Sequence, residues 1–214
     1  MRSLFQQNEP ENSNPTYPTC LISASQEAQI GTTLRSLMNS NGFSNTKIIG
    51  FDHNWNHAGA YPVQLVREPF SIGIPYIPPC ISVINGLFGE TQMESAYNAF
   101  SGVAFHCYSG SVGQQDTFEA AYPNKEIYFT ECTGEYGSDW WSDIKWYMDN
   151  IFVGAVEHYA KTGLMWNLVL DGTGKPELPG SNSCGTPCRP IVTVNTDGTY
   201  TLHQECKSHH HVSF

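Results

Sequence analysis

The sequence predicts an α/β fold built on a parallel sheet, and three observations carry that reading. Short apolar runs recur at Lys47–Phe51, Gly102–His106 (GVAFH) and Glu126–Thr130 (EIYFT). Stretches with helical periodicity lie between and beside them, the alternation expected of parallel α/β architecture. The chain has 214 residues, enough for one domain with a full core.

The elements follow in order. Leu4–Gln7 reads as a short strand. Ser25–Ser40 reads as a helix whose apolar face carries Ala28, Ile30, Leu34, Leu37 and Met38, with Gly42 as its stop. After the Lys47–Phe51 strand, Asp52-His53-Asn54-Trp55 is polar and loop-like. Trp140–Ala160 reads as one long amphipathic helix closed by Gly163, and Leu164–Leu170 as a last buried strand. Pro190–Val194 and Thr199–Leu202 flank Asp197-Gly198 and predict a β-hairpin. About five strands are of the type that lines a (β/α) barrel, where a closed barrel has eight, and an open doubly wound sheet of five strands is the other possibility. No Gly-rich phosphate loop follows any of them, so a nucleotide-binding reading lacks support.

Composition narrows the function classes. Asp and Glu total 20 against 10 Lys and Arg, a formal net charge of −10. That balance argues against nucleic acid and against an anionic membrane surface as partners. Charged residues make up only 14%, which suits a protein that handles neutral ligands. No apolar run reaches the roughly 18 residues of a membrane span. No signal peptide is legible at Met1-Arg2-Ser3-Leu4. The seven cysteines are an odd number, so the count alone does not establish an oxidising compartment.

The chemistry concentrates in two segments. Gln6-Gln7-Asn8-Glu9-Pro10 and Ile127-Tyr128-Phe129-Thr130-Glu131-Cys132 each read as a strand ending on a glutamate. In a (β/α) barrel all strands point their C-terminal ends at one face, so these carboxylates can converge. A pair about 5 Å apart is what retaining glycoside hydrolysis requires. Glu9 as the acid would need its pKa raised by burial or by its partner, while Glu131 as the nucleophile would stay ionised. Asn8 can bind a sugar 2-hydroxyl. His106 and Tyr108 follow the GVAF strand toward the same face, and Tyr128 could donate to Glu131. Trp55, Trp166 and Tyr108 offer flat faces for pyranose rings, and Asp52, His53, Asn54 and Asn167 offer hydroxyl partners.

Each of these has a plainer explanation. A lone glutamate after a strand is more often a solvated loop carboxylate, and alternate aromatics are more often core. Cys184 and Cys188, with His203 and His209-His210-His211, could ligate zinc, but the spacing fits no common zinc site. A local disulfide between Cys184 and Cys188 is the preferred reading of that turn.

Six segments taken together resemble glycoside hydrolase family 30: QNEPENSNPTYPT, KIIGFDHNW, YPVQLV, GVAFHCYSG, YPNKEIYFTEC and GLMWNLVLDGTGKP. The resemblance covers most of residues 4–66 and 93–204. It implies an incomplete (β/α)8 TIM barrel, strands four to eight, plus a fragment of a β-sandwich side domain. It implies Glu9 as acid/base and Glu131 as nucleophile, with Asn8, Trp55, His106, Tyr108 and Trp166 on the substrate, and no metal or cofactor. The family includes glucosylceramidases, of sphingolipid metabolism, and fungal endo-β-1,6-glucanases and galactanases. The expected parent is a secreted, monomeric enzyme acting on a β-linked glucan or glucoside, its activity lost in this shortened form. A carbohydrate-binding remnant without turnover and an endo-β-1,6-galactanase are the alternatives.

The expected domains are 1–180, a partial catalytic barrel, 181–204, the start of the side domain, and 205–214, a disordered tail. Within the barrel, residues 67–92 have no family likeness. Val66-Arg67 can be encoded GTA-AGA, a splice donor, and Gln92 as CAG, an acceptor, so this insertion reads as an intron translated in frame. In the same way, Cys206-Lys207-Ser208 can be encoded with a donor sequence.

Overall fold

Five parallel strands form the principal sheet of the computed structural model, which describes residues 2–67, 95–179, 181 and 188–206. In chain order the elements are β1 (Ser3–Phe5), α1 (Ala24–Ser40), β2 (Lys47–Asn54), α2 (Tyr61–Val66), α3 (Ala96–Ala99), β3 (Gly102–His106), α4 (Gln115–Ala121), β4 (Glu126–Glu131), β5 (Gly134–Glu135), α5 (Trp140–Tyr147), α6 (Gly154–Glu157) and β6 (Ala160–Gly163). Four short strands follow: β7 (Val169–Asp171), β8 (Cys188–Arg189), β9 (Val192–Val194) and β10 (Tyr200–Leu202). The principal sheet runs β1-β2-β3-β4-β6, every neighbouring pair parallel. This curled sheet is consistent with an incomplete barrel, as the resemblance implied. The expected insertion at 67–92 lies almost wholly outside the described residues, as do Cys184 and the His209–His211 run.

Side chains alternate between the two faces of each strand. On the outer face Ile48, Val103, Phe105, Ile127 and Phe129 are essentially inaccessible and pack on the helices. Each such side chain contributes roughly 1.5–3 kcal/mol by burial. On the inner face Ile49, Ala104 and Tyr128 form a small second cluster. Below it Lys47 and Lys161 both pair with Glu126, and Tyr128 Oη donates to the same carboxylate at 2.6 Å. This closes the floor with paired charges and leaves the C-terminal strand ends as the open rim. β1 and β6 are the outer strands, and Leu4 and Phe5 are 40% and 37% exposed on β1.

Helix α1 starts one residue earlier than the periodicity placed it, because Ser23 and Gln26 form a reciprocal capping box. Its end is as expected: Gly42 takes φ 82°, the left-handed conformation that glycine adopts without strain.

Three expectations need correction. First, β2 does not stop at Phe51 but continues to Asn54 through a bulge, where the register with β3 slips between Gly50 and His53. Phe51 and Asp52 sit there at φ 66° and 47°. The buried Glu27 carboxylate holds the bulge by accepting the Phe51 N–H at 2.9 Å. Second, Trp140–Ala160 is not one helix. It breaks into α5, a π-helical turn at Met148–Phe152, and α6. A Cβ on Gly154 would lie 1.9 Å from the Asp149 carbonyl, so the chain doubles back at a place only glycine fits. Third, the last barrel strand is Ala160–Gly163, and the apolar run behind it is not a buried strand: Leu164 and Leu168 are 45% and 67% exposed. Hydrophobicity misplaced the strand because β6 is small and polar, with Lys161 turned inward to Glu126.

Val169–Asp171 instead joins a second sheet, β10-β9-β7, in which β9 and β10 form the expected antiparallel hairpin. Two-residue strands β5 and β8 pair antiparallel and link the rim to this region. Arg189 locks the junction, donating to Glu205 and Asp143. Glu205 was expected in a disordered tail, yet it is fully buried, because it is the counter-charge for that guanidinium and accepts from Tyr147 Oη as well. An unpaired charge at that depth would be costly.

Candidate active site

Glu9 lies four residues beyond β1 and takes φ 49°. A non-glycine residue in that region costs about 1–3 kcal/mol and needs outside support. The support is the β2 bulge, whose Asp52 carbonyl accepts the Glu9 N–H at 3.0 Å. Glu131 is the last residue of β4. A Cys107–Cys132 disulfide joins the chain just after His106 to the chain just after Glu131. The spacing of seven cysteines does not by itself give this connectivity.

One imidazole gathers the acids. His106, fully buried at the end of β3, has Nδ1 at 3.1 Å from Glu9 Oε1 and Nε2 at 3.2 Å from Asp52 Oδ1. The same Nε2 is 3.8 Å from Glu131 Oε2. Thr130 Oγ1 donates to Asp52 Oδ1 at 2.6 Å, and Tyr108 Oη donates to Glu131 Oε1 at 3.0 Å. Asn12 Nδ2 donates to Glu9 Oε2 at 2.5 Å and to Tyr17 Oη at 2.9 Å. Glu9 and Glu131 thus face one imidazole from its two ring nitrogens, at 3.1 and 3.8 Å.

The electrostatics follow from these distances. Burial pushes the His106 pKa down, but its contacts with Asp52 and Glu9 outweigh that and raise it to about 9. Burial pushes Glu9 up, but His106, His53 and Asn12 together hold it well below the usual carboxylate range. Burial dominates at Glu131 and raises it, against the opposing effects of His106 and Tyr108. This order reverses the expectation that Glu9 carries the proton and Glu131 is the more acidic. The reason is geometric: the imidazolium is at hydrogen-bonding distance from Glu9 and not from Glu131.

A cleft of about 820 Å³ opens over the two glutamates. Asn8, Tyr108 and Trp166 line it, with His53, Asn54 and Asn167. Asn167 Nδ2 is buried without a hydrogen-bond partner, a donor open to a ligand hydroxyl. Two expected substrate contacts are elsewhere. Trp55 is 1% exposed in the core, where its indole stacks near Phe129 at 5.4 Å and donates to Gln115 Oε1 at 2.9 Å. The 3-10 turn after β2 carries it to the outer face, so it cannot stack on a sugar. His106 is fully buried beneath the cleft and is not among the residues that line it. Tyr128, expected to donate to Glu131, bonds Glu126 on the floor instead; Tyr108 makes the bond to Glu131. Asn12 and Tyr17 were not singled out in the sequence; the turn Asn12 N–H to Glu9 carbonyl, 2.9 Å, places them.

No family model matches the chain. Comparison with characterised proteins does find relatives. The chain is 29% identical over 209 residues to an endo-1,6-β-D-glucanase of Neurospora crassa, covering 92% of this chain and 35% of that protein. It is 29% identical over 199 residues to an endo-1,6-β-D-glucanase of Trichoderma harzianum, covering 92% and 33%. The chain thus spans about a third of the length of these curated relatives. Among solved structures, the endo-β1,6-glucanase BT3312 superposes with a TM-score of 0.74 at 23% identity, over 97% of this chain and 42% of that one. SrfJ from Salmonella typhimurium superposes with a TM-score of 0.71 at 19% identity. Both curated relatives are endo-1,6-β-D-glucanases by name, and the two solved structures show that the chain shares their fold.

Proposed function

We propose, with that homology as the premise, that this chain carries the catalytic face of a retaining β-glycoside hydrolase acting on β-1,6-linked glucan. One observation carries the reading: Glu9, from the segment after β1, and Glu131, from the end of β4, meet the same imidazole under an open cleft. Glu131 is the nucleophile. Tyr108 orients its Oε1, which leaves the other oxygen to attack the anomeric carbon. Glu9 is the acid/base, and its proton is shared with His106 Nδ1. Transfer to Oε1 gives the acid for glycosylation, and the carboxylate form is the base that activates water in the second step. Asn8 and Asn167 bind hydroxyls, and Trp166, 41% exposed, offers a stacking face. The β7-β9-β10 sheet is the beginning of a side domain, and the protein is secreted, a setting that suits the Cys107–Cys132 disulfide.

The reading of glucan over glucosylceramide rests on the relatives. Turnover by this chain alone is weak or absent, because among the described residues the parallel sheet has five strands and ends at β1 and β6, short of the eight that close a barrel. The test is hydrolysis of β-1,6-glucan and of an activated aryl β-glucoside, by this chain and by a chimera that adds the preceding segment of the Neurospora crassa relative. The chimera should cleave both, and Glu131→Gln should lower its rate by about 10³-fold or more. A chimera that binds the glucan without releasing sugar would favour the carbohydrate-binding alternative.

A further inference from the structure

Three side chains on the rim fit a purpose that hydrolysis does not use. Glu9, His53 and His106 each offer one ligand atom, and these atoms all lie within 4.8 Å of one another. His106 Nδ1 is 3.1 Å and His53 Nδ1 3.6 Å from Glu9 Oε1. Zinc bonds of about 2.0–2.2 Å, set tetrahedrally, put neighbouring ligand atoms about 3.3–3.5 Å apart. The two measured edges bracket that value. His53 Nδ1 is moreover buried with no hydrogen-bond partner, a cost that a hydrogen-bond donor or a cation at that point would remove.

The surroundings match what a metal site requires beyond its ligands. A ligating histidine usually turns its other ring nitrogen to a carboxylate. His106 Nε2 faces Asp52 Oδ1 at 3.2 Å, and Asp52 is itself held by Thr130. The second oxygen of Glu9 is held by Asn12, so Oε1 is fixed toward the two imidazoles. Both Glu9 and His53 line the cleft, which leaves a fourth position open to water. Two histidines, one glutamate and an open position make a borderline-soft donor set suited to zinc-like divalent transition metals rather than to calcium or magnesium.

We propose that Glu9, His53 and His106 form a divalent transition-metal site, and that an ion bound there takes Glu9 out of sugar chemistry. The same three residues then serve either as acid/base machinery or as a metal chelate. The site makes zinc a reversible inhibitor, not a cofactor.

Zinc titration calorimetry on the full chain tests this without depending on turnover, so it stands or falls separately from the hydrolase reading. The His209-His210-His211 run could bind metal on its own, so a chain with all three replaced by Ala is titrated beside the wild type. One ion per chain should bind with affinity unchanged by the tail replacement. Glu9→Gln and His53→Ala should each weaken it by at least about tenfold, the scale seen when metal-site contacts are removed. His53 is partly exposed, which limits the damage its replacement does to the fold. No zinc bound by the wild-type chain, or equal affinity in either variant, would overturn the proposal.

Discussion

Tyr108 Oη donates to Glu131 Oε1 at 3.0 Å, linking a residue two positions past the end of β3 to the last residue of β4. The bond favours the ionised glutamate, which burial otherwise disfavours. Tyr108→Phe should therefore raise the Glu131 pKa further. In the chimeric barrel, the acid limb of kcat/KM should move to higher pH, and the rate at low pH should fall by about tenfold. A rate loss equal at every pH would mean that Tyr108 only fills space.

Glu27 gives a pH prediction for stability. It is fully buried behind the β2 bulge, and its pKa is raised to about 7, chiefly by burial. The sign follows from linkage. Below about pH 4.5 both folded and unfolded chains hold the proton, and the stabilisation is fully present. Between about pH 4.5 and 7 the unfolded chain loses the proton while the folded chain keeps it, so stability falls as pH rises, by about 3 kcal/mol in all. Glu27→Gln keeps an acceptor for the Phe51 N–H and should flatten that slope. Urea melts at pH 4.5, 6 and 8 measure it, and parallel slopes for the two proteins would exclude Glu27 as the source.

The disulfide is the third prediction. Cys107 and Cys132 are 25 positions apart in sequence, a loop for which closure entropy implies about 3 kcal/mol. Replacing both by Ser should lower the unfolding free energy by that order. In the chimera it should also reduce kcat, because Glu131 adjoins Cys132. Unchanged stability on reduction would show that the bridge constrains nothing.

Much of the rim was legible because strands ending on polar residues carry a local pattern. Gly102–His106 matches the strand found, and Glu9, Glu131, Tyr108 and Trp166 reach one cleft. What was missed depends on contacts the local pattern does not encode. Trp55 looked like a loop aromatic, but a single 3-10 turn takes it into the core. β6 was overlooked because its four residues, Ala-Lys-Thr-Gly, are chosen for fit and for the Lys161–Glu126 pair rather than for apolarity. The order of ionisation at Glu9 and Glu131 depends on which carboxylate lies nearer the His106 ring, a tertiary distance. Glu205 looked like tail because its partner Arg189 is set by the fold of the β5–β8 junction.

The central claim is that Glu131 forms a covalent glycosyl ester during retaining hydrolysis. A 2-deoxy-2-fluoro-β-glucoside with a good leaving group slows release of that ester, so peptide mass spectrometry of the inactivated chimera reads the attachment site directly. One fluoroglucosyl group is expected on the peptide containing Thr130-Glu131-Cys132, and none after Glu131→Gln. Labelling at Glu9, or turnover that releases the inverted anomer without any covalent adduct, would contradict it.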